Sequence, residues 1–337
     1  MGFDSACDRA GAPALAEEGR MRRDWRERLF LAAGASAAAL PRLRGRTRVA
    51  LVLHRALGLG GRRIRVEAEL RRPVRFRARL DLGSWLQRLA FVTGEYEADT
   101  VEFLLGLREA TGTRGYVLDV GANVGLLSVP LAMLLREREG GGGPSVVAIE
   151  ALPDNAAALR ENIRLNGLEE ACMALEFAVG DREKAVEIQV EGNLRRGDGT
   201  GTANVIADDS GYVCERIPLR LTTLDSLAAS GALTAGCSVV KIDTDGYDLK
   251  ALQGGVAFLG RERPAVFGEF MAHCLRWHGQ GVSDVVSFCD GLDYSVWARV
   301  RGSWSFTPEI DESAFEQDLL LVPREKASLH ERYFRAR

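Results

Sequence analysis

Two carboxylates follow an apolar, strand-like run in VKIDTDGY, residues 240–247. Asp243 and Asp245 end this run, with Gly246 directly behind them. An ionised carboxylate is costly to bury unless a cation or hydrogen bonds compensate for its charge. Four partners are therefore open for this acid pair: a metal ion, a nucleotide, the proton of a substrate, or only each other across a turn.

A second run, VLDVGANVG at residues 117–125, combines an acid with two glycines. We predict that a strand ends at Asp119 and Val120 and that a helix begins near Val124, after the glycine turn. In doubly wound sheets, ligands bind beyond the carboxyl ends of the strands, so this turn is the first place to expect one. Gly121 and Gly125 allow backbone to pass close to a ligand and the helix to pack closely on the sheet. Asn123 tolerates unusual backbone angles or donates a side-chain hydrogen bond.

The ligand chemistry of this turn differs from that of a dinucleotide site. The fingerprint GxGxxG is absent, because Ala122 and Asn123 precede the second glycine, and Asp119 would repel a pyrophosphate. S-adenosylmethionine carries an ammonium and a sulfonium without a phosphate, and it fits better. Glu150, at the end of the next predicted strand VVAIE, is of the type that accepts hydrogen bonds from a ribose diol. The alternative is a plain strand-to-helix turn.

The predicted elements form one α/β domain with an extension. From residue 116 onward, strand and helix patterns alternate, which predicts a doubly wound sheet that is parallel and covered on both faces. Before it come one or two helices over 22–59, interrupted at Pro41, and a hairpin over 64–82. The predicted organisation is an N-terminal extension that begins with a mobile tail, an α/β domain and a C-terminal tail: residues 1–82, 83–326 and 327–337.

Composition and charge restrict the class of protein. The 337 residues are 46% hydrophobic and 27% charged, as in an ordinary globular protein, and the net charge of −3 predicts no nucleic-acid partner. The six cysteines include no CxxC pair, which favours a reducing compartment, and we expect a cytoplasmic protein. No apolar run approaches the roughly 18–20 residues that span a bilayer. LFLAAGASAAAL, residues 29–40, is expected to be a helix of the extension rather than a signal sequence.

Arginines are concentrated in the extension. Two interpretations are open: solvated faces of strands and helices, or a local site for an anionic partner such as a glycan, a phosphorylated carrier or a membrane surface. The arginines concerned are Arg62, Arg63, Arg65, Arg71, Arg72, Arg75, Arg77 and Arg79.

Seven segments occur in an order that resembles the FkbM-family methyltransferases. They are VLDVGANVGLLSVPLA, VVAIEALPDNAAALRENIRLNG, FAVGD, LTTLDSL, VVKIDTDGYDLKALQGG, VFGEF and DLLLVP. The resemblance covers about residues 80–325. It implies a Rossmann-like, seven-stranded class I methyltransferase sheet whose last strands form an antiparallel edge. It also implies S-adenosylmethionine as cofactor, S-adenosylhomocysteine as product, and methylation of hydroxyl groups on sugars and natural products.

The resemblance also assigns residues to the cofactor. Asp119 and the glycine turn would hold the methionine part and Glu150 the ribose, with Leu152 beside the adenine and Asp181 near its amino group. The segment GEYE at 94–97 would close over the cofactor, or is an ordinary helix start with Glu95 and Glu97 on its surface. The full assigned set is Tyr96, Glu97, Asp119, Gly121, Ala122, Asn123, Gly125, Glu150, Ala151, Leu152, Asn155, Val179, Gly180, Asp181 and Asp243.

Methyl transfer to a hydroxyl needs alignment and a group that helps to remove the proton. Asp243 is the predicted base or orienting group, with Asp245 and Glu269 as further catalytic candidates. Asp245 ranks lower, because family members often carry a glutamate there and because it could simply cap the following helix, DLKALQGG. The predicted acceptor contacts are Thr202, Asn204 and His273.

Metal chemistry and other functions remain as alternatives. The oxygens of Asp243, Asp245 and Glu269 suit Mg²⁺ or Ca²⁺, but their spacing does not demand a metal, and we assign none. His273, Cys274 and His278 lack a fourth partner for zinc. The alternatives to a small-molecule or glycan O-methyltransferase are a noncatalytic S-adenosylmethionine-binding partner protein and a nicotinamide-dependent oxidoreductase. Assembly into a homo-oligomer is also open.

Overall fold

The computed structural model of the protein describes most of the chain. Thr202, a predicted acceptor contact, lies outside the described residues, as does the predicted tail over 1–20. The described residues are 23–40, 45–60, 62–110, 112, 114–140, 143–191, 203–204, 214–301, 303–311, 313–314, 316–328 and 333.

Helices and strands alternate along the described chain. The α-helices are α1 (Trp25–Ala39), α2 (Arg46–Ala56), α3 (Trp85–Thr93), α4 (Ala98–Ala110), α5 (Ser128–Glu139), α6 (Pro153–Leu165), α7 (Leu224–Ala229), α8 (Asp248–Gln253), α9 (Val256–Glu262), α10 (Ala272–Trp277) and α11 (Val282–Gly291). The strands are β1 (Arg65–Leu70), β2 (Phe76–Asp81), β3 (Tyr116–Val120), β4 (Val146–Glu150), β5 (Cys172–Glu176), β6 (Ala178–Val179), β7 (Lys184–Glu191), β8 (Ala203–Asn204), β9 (Cys214–Thr222), β10 (Cys237–Ile242), β11 (Ala265–Met271), β12 (Tyr294–Arg299), β13 (Phe306–Thr307) and β14 (Glu316–Pro323).

The central sheet has the order β13-β12-β14-β11-β10-β3-β4-β5. β5, β4, β3, β10 and β11 run parallel, whereas β14 is antiparallel to both β11 and β12. The predicted doubly wound α/β sheet with an antiparallel edge is therefore confirmed. It consists of the seven expected strands and one additional two-residue strand, β13, at the edge.

Both faces of the sheet are covered, which explains why its central strands are almost wholly apolar. Successive residues of β3 point to opposite sides, because the side-chain period of a strand is two. Val117 belongs to the core that also contains α5, and Leu118 belongs to the core on the other face. Val146 and Val147 of β4 divide in the same way.

A second, four-stranded sheet of order β6-β9-β7-β8 leaves the central sheet after β5. The segment LEFAVG, predicted as one strand, is divided at Phe177 between β5 in the central sheet and β6 in the second one. β7 and β9 form a long antiparallel pair, with Ile188 opposite Ile217. These strands were predicted, but their separation from the central sheet was not.

The extension contains the two helices and the hairpin that the sequence predicted. β1 and β2 pair antiparallel, with Val66 opposite Leu80. Phe30 of α1 and Leu80 are fully buried in the same core as Val117 of the central sheet. Within the described ranges, no helix has both the length and the apolar character to cross a lipid bilayer.

Most of the arginines concentrated in the extension bind carboxylates of the protein itself. Arg62 contacts Asp24, and Arg63 contacts Asp81. Four more make ion pairs within 4 Å of the acids Glu69, Glu95, Glu67 and Glu161: Arg71, Arg72, Arg77 and Arg79. This pairing favours a solvated, internally compensated surface over a site for an anionic partner.

Candidate functional site

A cavity lies where β3, β4 and β10 end at their carboxyl edges. Strand order brings these three ends together, because β3 pairs with β4 on one side and with β10 on the other. Its lining therefore combines the two acidic runs that were singled out in the sequence. The residues of those runs that line it are Asp119, Val120, Gly121, Ala122, Asn123, Val124, Lys241, Asp243, Thr244, Asp245 and Tyr247. The turn after β4 adds the predicted residues Glu150, Ala151, Leu152 and Asn155.

The turn after β3 contains two glycines whose backbone angles and close neighbours leave no room for a side chain. Gly121 has φ +86°, and a Cβ there would lie 1.8 Å from the carbonyl oxygen of Asp243. Gly125 has φ +84°, and a Cβ there would lie 2.5 Å from Leu159 of α6. Asn123 has φ +51°, as its predicted tolerance allows. The close approaches that require the glycines are thus to β10 and α6.

Glu150 holds the turn after β3 to the turn after β4. Its Oε2 accepts a hydrogen bond from the backbone of Asn123 at 2.8 Å. Its Oε1 accepts from the backbone of Leu152 at 3.0 Å and from the Asn155 amide at 3.3 Å. Burial raises the pKa of this carboxyl, although the three hydrogen bonds oppose the shift. Glu150 thus shapes the cavity wall in which it lies.

A buried lysine lies between two acids, Asp119 near the end of β3 and Asp243 directly after β10. Lys241 Nζ lies 3.1 Å from Asp243 Oδ2 and 3.6 Å from Asp119 Oδ1. Asp119 is inaccessible to solvent, and its Oδ2 accepts a hydrogen bond from Ser128 at the start of α5. Asp119 Oδ1 accepts no hydrogen bond from any described group. Asp243 is more open, since its side chain keeps 36% of its accessible area.

The charge of Lys241 is stabilised by its surroundings. Burial lowers the pKa of this ammonium, but Asp243, Asp119 and Glu97 outweigh burial and raise the pKa well above its ordinary value. Lys241 is therefore a permanent cation at neutral pH, and it cannot serve as a base.

The segment that precedes α4 brings a third acid to the cavity. Tyr96 and Glu97 both line it, and Glu97 has φ +41°. Partial loss of hydration among the surrounding protein groups and the charge of Asp243 raise the pKa of Glu97, against the influence of Lys241, although the residue is exposed at the surface. Enclosure and the neighbouring Glu97 also raise the pKa of the Tyr96 phenol.

One part of the cavity wall is apolar. Leu152 follows β4, Phe177 and Val179 flank the passage from β5 to β6, and Ile188 and Leu221 come from the second sheet. Phe177 is 39% exposed although it is a large aromatic residue. The second sheet thus supplies a wall that suits a flat, apolar ligand group.

The chain matches a known family of enzymes. A model of the methyltransferase FkbM domain matches residues 119–294, which is just over half of the chain. The chain belongs to the FkbM methyltransferase family. The resemblance expected from the sequence is therefore confirmed. A search of curated proteins finds none that matches this chain.

Two solved methyltransferases show a distant likeness. The FkbM methyltransferase of Methylobacillus flagellatus KT is 15% identical with a TM-score of 0.36, and the match covers 87% of this chain but only 59% of that one. The O-methyltransferase of Bacillus cereus, solved in complex with S-adenosylhomocysteine, is 17% identical with a TM-score of 0.37. That match covers 68% of this chain and 82% of the other.

In the turn after β10, the backbone is hydrogen-bonded by an acid that was not predicted. Asp248, not Asp245, accepts hydrogen bonds from the backbone of Thr244 at 2.7 Å and of Gly246 at 3.0 Å. Helix α8 begins at Asp248, and Tyr247 is its N-cap residue. Asp245 is therefore not the N-cap residue of this helix. Asp245 has φ +52° and lines the cavity.

Several predicted site residues lie outside the cavity lining. Gly180 and Asp181 follow Val179, but a Cβ at Gly180 would meet Tyr247, and Asp181 lies 3.4 Å from Lys250. Glu269 is in β11, opposite Asp318 of β14. Gly125 packs on Leu159 behind the turn.

The predicted acceptor contact Asn204 ends the short strand β8, and its side chain lies outside the described part of the structure.

The residues considered as possible metal ligands, to which no metal was assigned, have other neighbours. His273 contacts the Cys274 sulfur at 3.2 Å and packs edge-on against Trp277, whereas His278 packs against Tyr247. Among the residues that the structure describes, no three His, Cys, Asp or Glu side chains group closely enough to hold a metal ion.

Lys241 is the most informative site residue that the sequence analysis missed. It is 7% exposed in a strand whose other residues are all buried. The pattern was visible: VVKID places one lysine inside a strand predicted to be covered on both faces, where a cation requires a carboxylate partner. Phe177, Ile188 and Tyr247 also line the cavity and were not predicted, because no local pattern distinguishes them from core residues.

Proposed function

We propose that this FkbM-family protein is an S-adenosylmethionine-dependent O-methyltransferase that acts on a hydroxyl of a sugar, glycan or natural product. The observation that carries the proposal is the environment of Asp243. Its carboxylate lies at the cavity, partly open to solvent, while Lys241 binds one of its oxygens at 3.1 Å. An oriented carboxylate of this kind is suited to accept a hydrogen bond from an acceptor hydroxyl.

The residues of the cavity fit the cofactor. Asp119, Asp243 and Glu97 place three carboxyl groups against the single ammonium of Lys241, which favours a ligand with an ammonium and a sulfonium over one with phosphates. Asp119 Oδ1, without a hydrogen bond from the described protein, is a candidate acceptor for the ammonium. Glu150 is the candidate for the ribose, and the apolar wall with Leu152 and Phe177 is suited to the adenine.

The chain's own groups would orient the acceptor and manage its proton. Bound S-adenosylmethionine supplies an electrophilic methyl group. Asp243 would accept the hydrogen bond of the acceptor hydroxyl and align its oxygen, and it would take or relay the proton as the oxygen becomes methylated. Lys241 would hold Asp243 in this orientation.

Calorimetry with S-adenosylhomocysteine and with NAD tests the cofactor. We expect binding of S-adenosylhomocysteine and none of NAD, because the excess of carboxylates repels a pyrophosphate. Binding of NAD alone would overturn the proposal.

Replacement of Asp243 tests the mechanism. With labelled S-adenosylmethionine and an extract as the source of acceptor, we expect Asp243→Asn to lower methyl transfer by about 100-fold or more, in the range of lost acid–base catalysis. The affinity for S-adenosylhomocysteine should change by less than about tenfold, the effect of one hydrogen bond. Asp245→Asn is the matched control, a neighbouring cavity carboxylate with a smaller expected effect. Unchanged transfer by Asp243→Asn would remove Asp243 from the mechanism.

A further inference from the structure

Lys241 occupies a buried position in a strand, where a lysine is unusual. It lies in β10, the strand next to β3, and its Cα is in register with that of Asp119. Both of its neighbours in the strand, Val240 and Ile242, are completely buried. An apolar residue would fill this position at a lower desolvation cost, because burying an ammonium is unfavourable unless its partners are well placed.

The charged groups around Lys241 come from three different elements. Asp243 follows its own strand, Asp119 ends β3, and Glu97 with Tyr96 precedes α4. All four line the same cavity as Lys241. Asp248, which is fully enclosed after β10, adds a further carboxyl near Asp243. Without the ammonium, the charged side chains that the structure describes in the cavity lining would all be acids.

We propose that Lys241 is a positioning residue that orients the Asp243 carboxylate and sets the charge of the cofactor cavity. This inference rests on the proposed function. The ammonium partly offsets the carboxylates, so it moderates their attraction for the sulfonium of S-adenosylmethionine. S-adenosylhomocysteine has a neutral sulfur, and its affinity depends less on this balance of charge. Lys241 thereby tunes the preference between the substrate and product forms of the cofactor.

The charge-tuning role has a signature that a merely structural lysine lacks. The two cofactor forms differ by the methyl group and one positive charge at sulfur. The ratio of the affinities for S-adenosylmethionine and S-adenosylhomocysteine therefore depends on the electrostatic potential in the cavity. Lys241→Met keeps an unbranched side chain of similar length and removes the positive charge. At pH 8 we expect the preference for S-adenosylmethionine over S-adenosylhomocysteine to rise by about threefold or more.

A second replacement provides the rescue. Asp243→Asn alone removes a negative charge and should lower the preference below that of the unmodified protein. The pair Lys241→Met with Asp243→Asn changes no net charge, so the ratio should return close to its original value. The pair should also recover part of the thermal stability that Lys241→Met loses, because no carboxylate at position 243 is left without its cation.

Arg108 provides the matched control, because it is another buried cation in an ion pair. It lies 2.5 Å from Glu139 and also binds the carbonyl of Gly115, at the end of β3 away from the cavity. Arg108→Met should lower the unfolding temperature and leave the affinity ratio unchanged.

The experiment is calorimetric binding of S-adenosylmethionine and S-adenosylhomocysteine at pH 8, with thermal unfolding of the same full-length variants without ligand. An unchanged ratio in a folded Lys241→Met protein overturns the inference. If Lys241→Met does not fold, recovery of folding by the added Asp243→Asn supports it and failure to recover overturns it. If the unmodified protein binds neither cofactor form, the proposed function is overturned instead. The unfolding temperatures of Lys241→Met and of the double variant are measured without ligand, so they do not depend on that function.

Discussion

At the scale of single residues, three acids at the ends of three neighbouring strands have three different surroundings. Asp119 is buried against Ser128 and Lys241, Asp243 is partly open beside the same lysine, and Glu150 is hydrogen-bonded by backbone and amide groups. Asp243 is the most open of the three, so its carboxylate is the one best placed to reach an acceptor. This difference in surroundings is the reason for assigning the chemistry to Asp243.

Gly121 offers a test of the turn at the same scale. A side chain there meets the Asp243 carbonyl and also requires φ +86°. We expect Gly121→Ala to lower the free energy of unfolding by about 3 kcal/mol or more, from a steric clash added to backbone strain. Urea denaturation measures the loss.

Gly58→Ala is the control for this prediction, since Gly58 has φ +63° and a Cβ added there would have no other atom within 4 Å. Gly58→Ala introduces backbone strain without a steric clash, so it should lower the free energy of unfolding by only about 1 kcal/mol. Equal losses for the two variants would show that the approach to β10 does not matter.

At the scale of elements, two asparagines attach the hairpin to the sheet domain, one within α6 and one at its C-terminal end. Asn162 accepts from the backbone of Arg79 at 2.7 Å and donates to the carbonyl of Val124 at 2.8 Å. Asn166, one turn later, both accepts from and donates to the backbone of Arg77. The two amides thus bond the backbone N–H and C=O groups on the free edge of β2, as a neighbouring strand would. The edge of the hairpin is therefore covered.

Asn162→Ala should destabilise the protein by about 2–3 kcal/mol, because it leaves a backbone donor and a carbonyl without partners in a buried place. Asn166→Ala, at a more accessible position, should cost about 1 kcal/mol or less, since water replaces the amide. Chemical denaturation of both variants measures the difference. Equal losses would contradict the view that burial decides the cost.

At the scale of the whole molecule, the extension and the sheet share a core. Phe30 of α1 is fully buried, contacts His54 and Phe91 with its ring, and belongs to the same cluster as Val117 and Val129. The predicted boundary at residue 82 stays a prediction, but the apolar core is continuous across it. We therefore expect the extension and the sheet to unfold together.

Phe30→Ala tests this continuity. It should lower the free energy of unfolding by about 3–5 kcal/mol and shift a single calorimetric transition. The neighbouring Leu29 is 45% exposed, so Leu29→Ala should change stability by about 0.5 kcal/mol or less. Two separate transitions, with only one of them shifted by Phe30→Ala, would contradict the shared core.

Much of the fold followed from local patterns. Short apolar runs, helix patterns and the glycine turn predicted the alternating elements of the central sheet, and runs of period two predicted the hairpin. The positions of Asp119, Glu150 and Asp243 at strand ends predicted that these acids would meet, because parallel strands end at one edge. The second sheet was not predicted, since the pairing of β7 with β9 joins residues far apart in the chain and leaves no periodic pattern of its own.

The sequence by itself determined the family, the sheet and the acids that face the cavity. Only the tertiary structure decided which of these acids is the most open and which residue pairs with it. Asp248 rather than Asp245 caps the turn, and Lys241 joins Asp119 to Asp243, because strands β3 and β10 lie side by side. The physical reason is that burial and ion pairing depend on neighbours in space, whereas spacing along the chain specifies only where each strand ends.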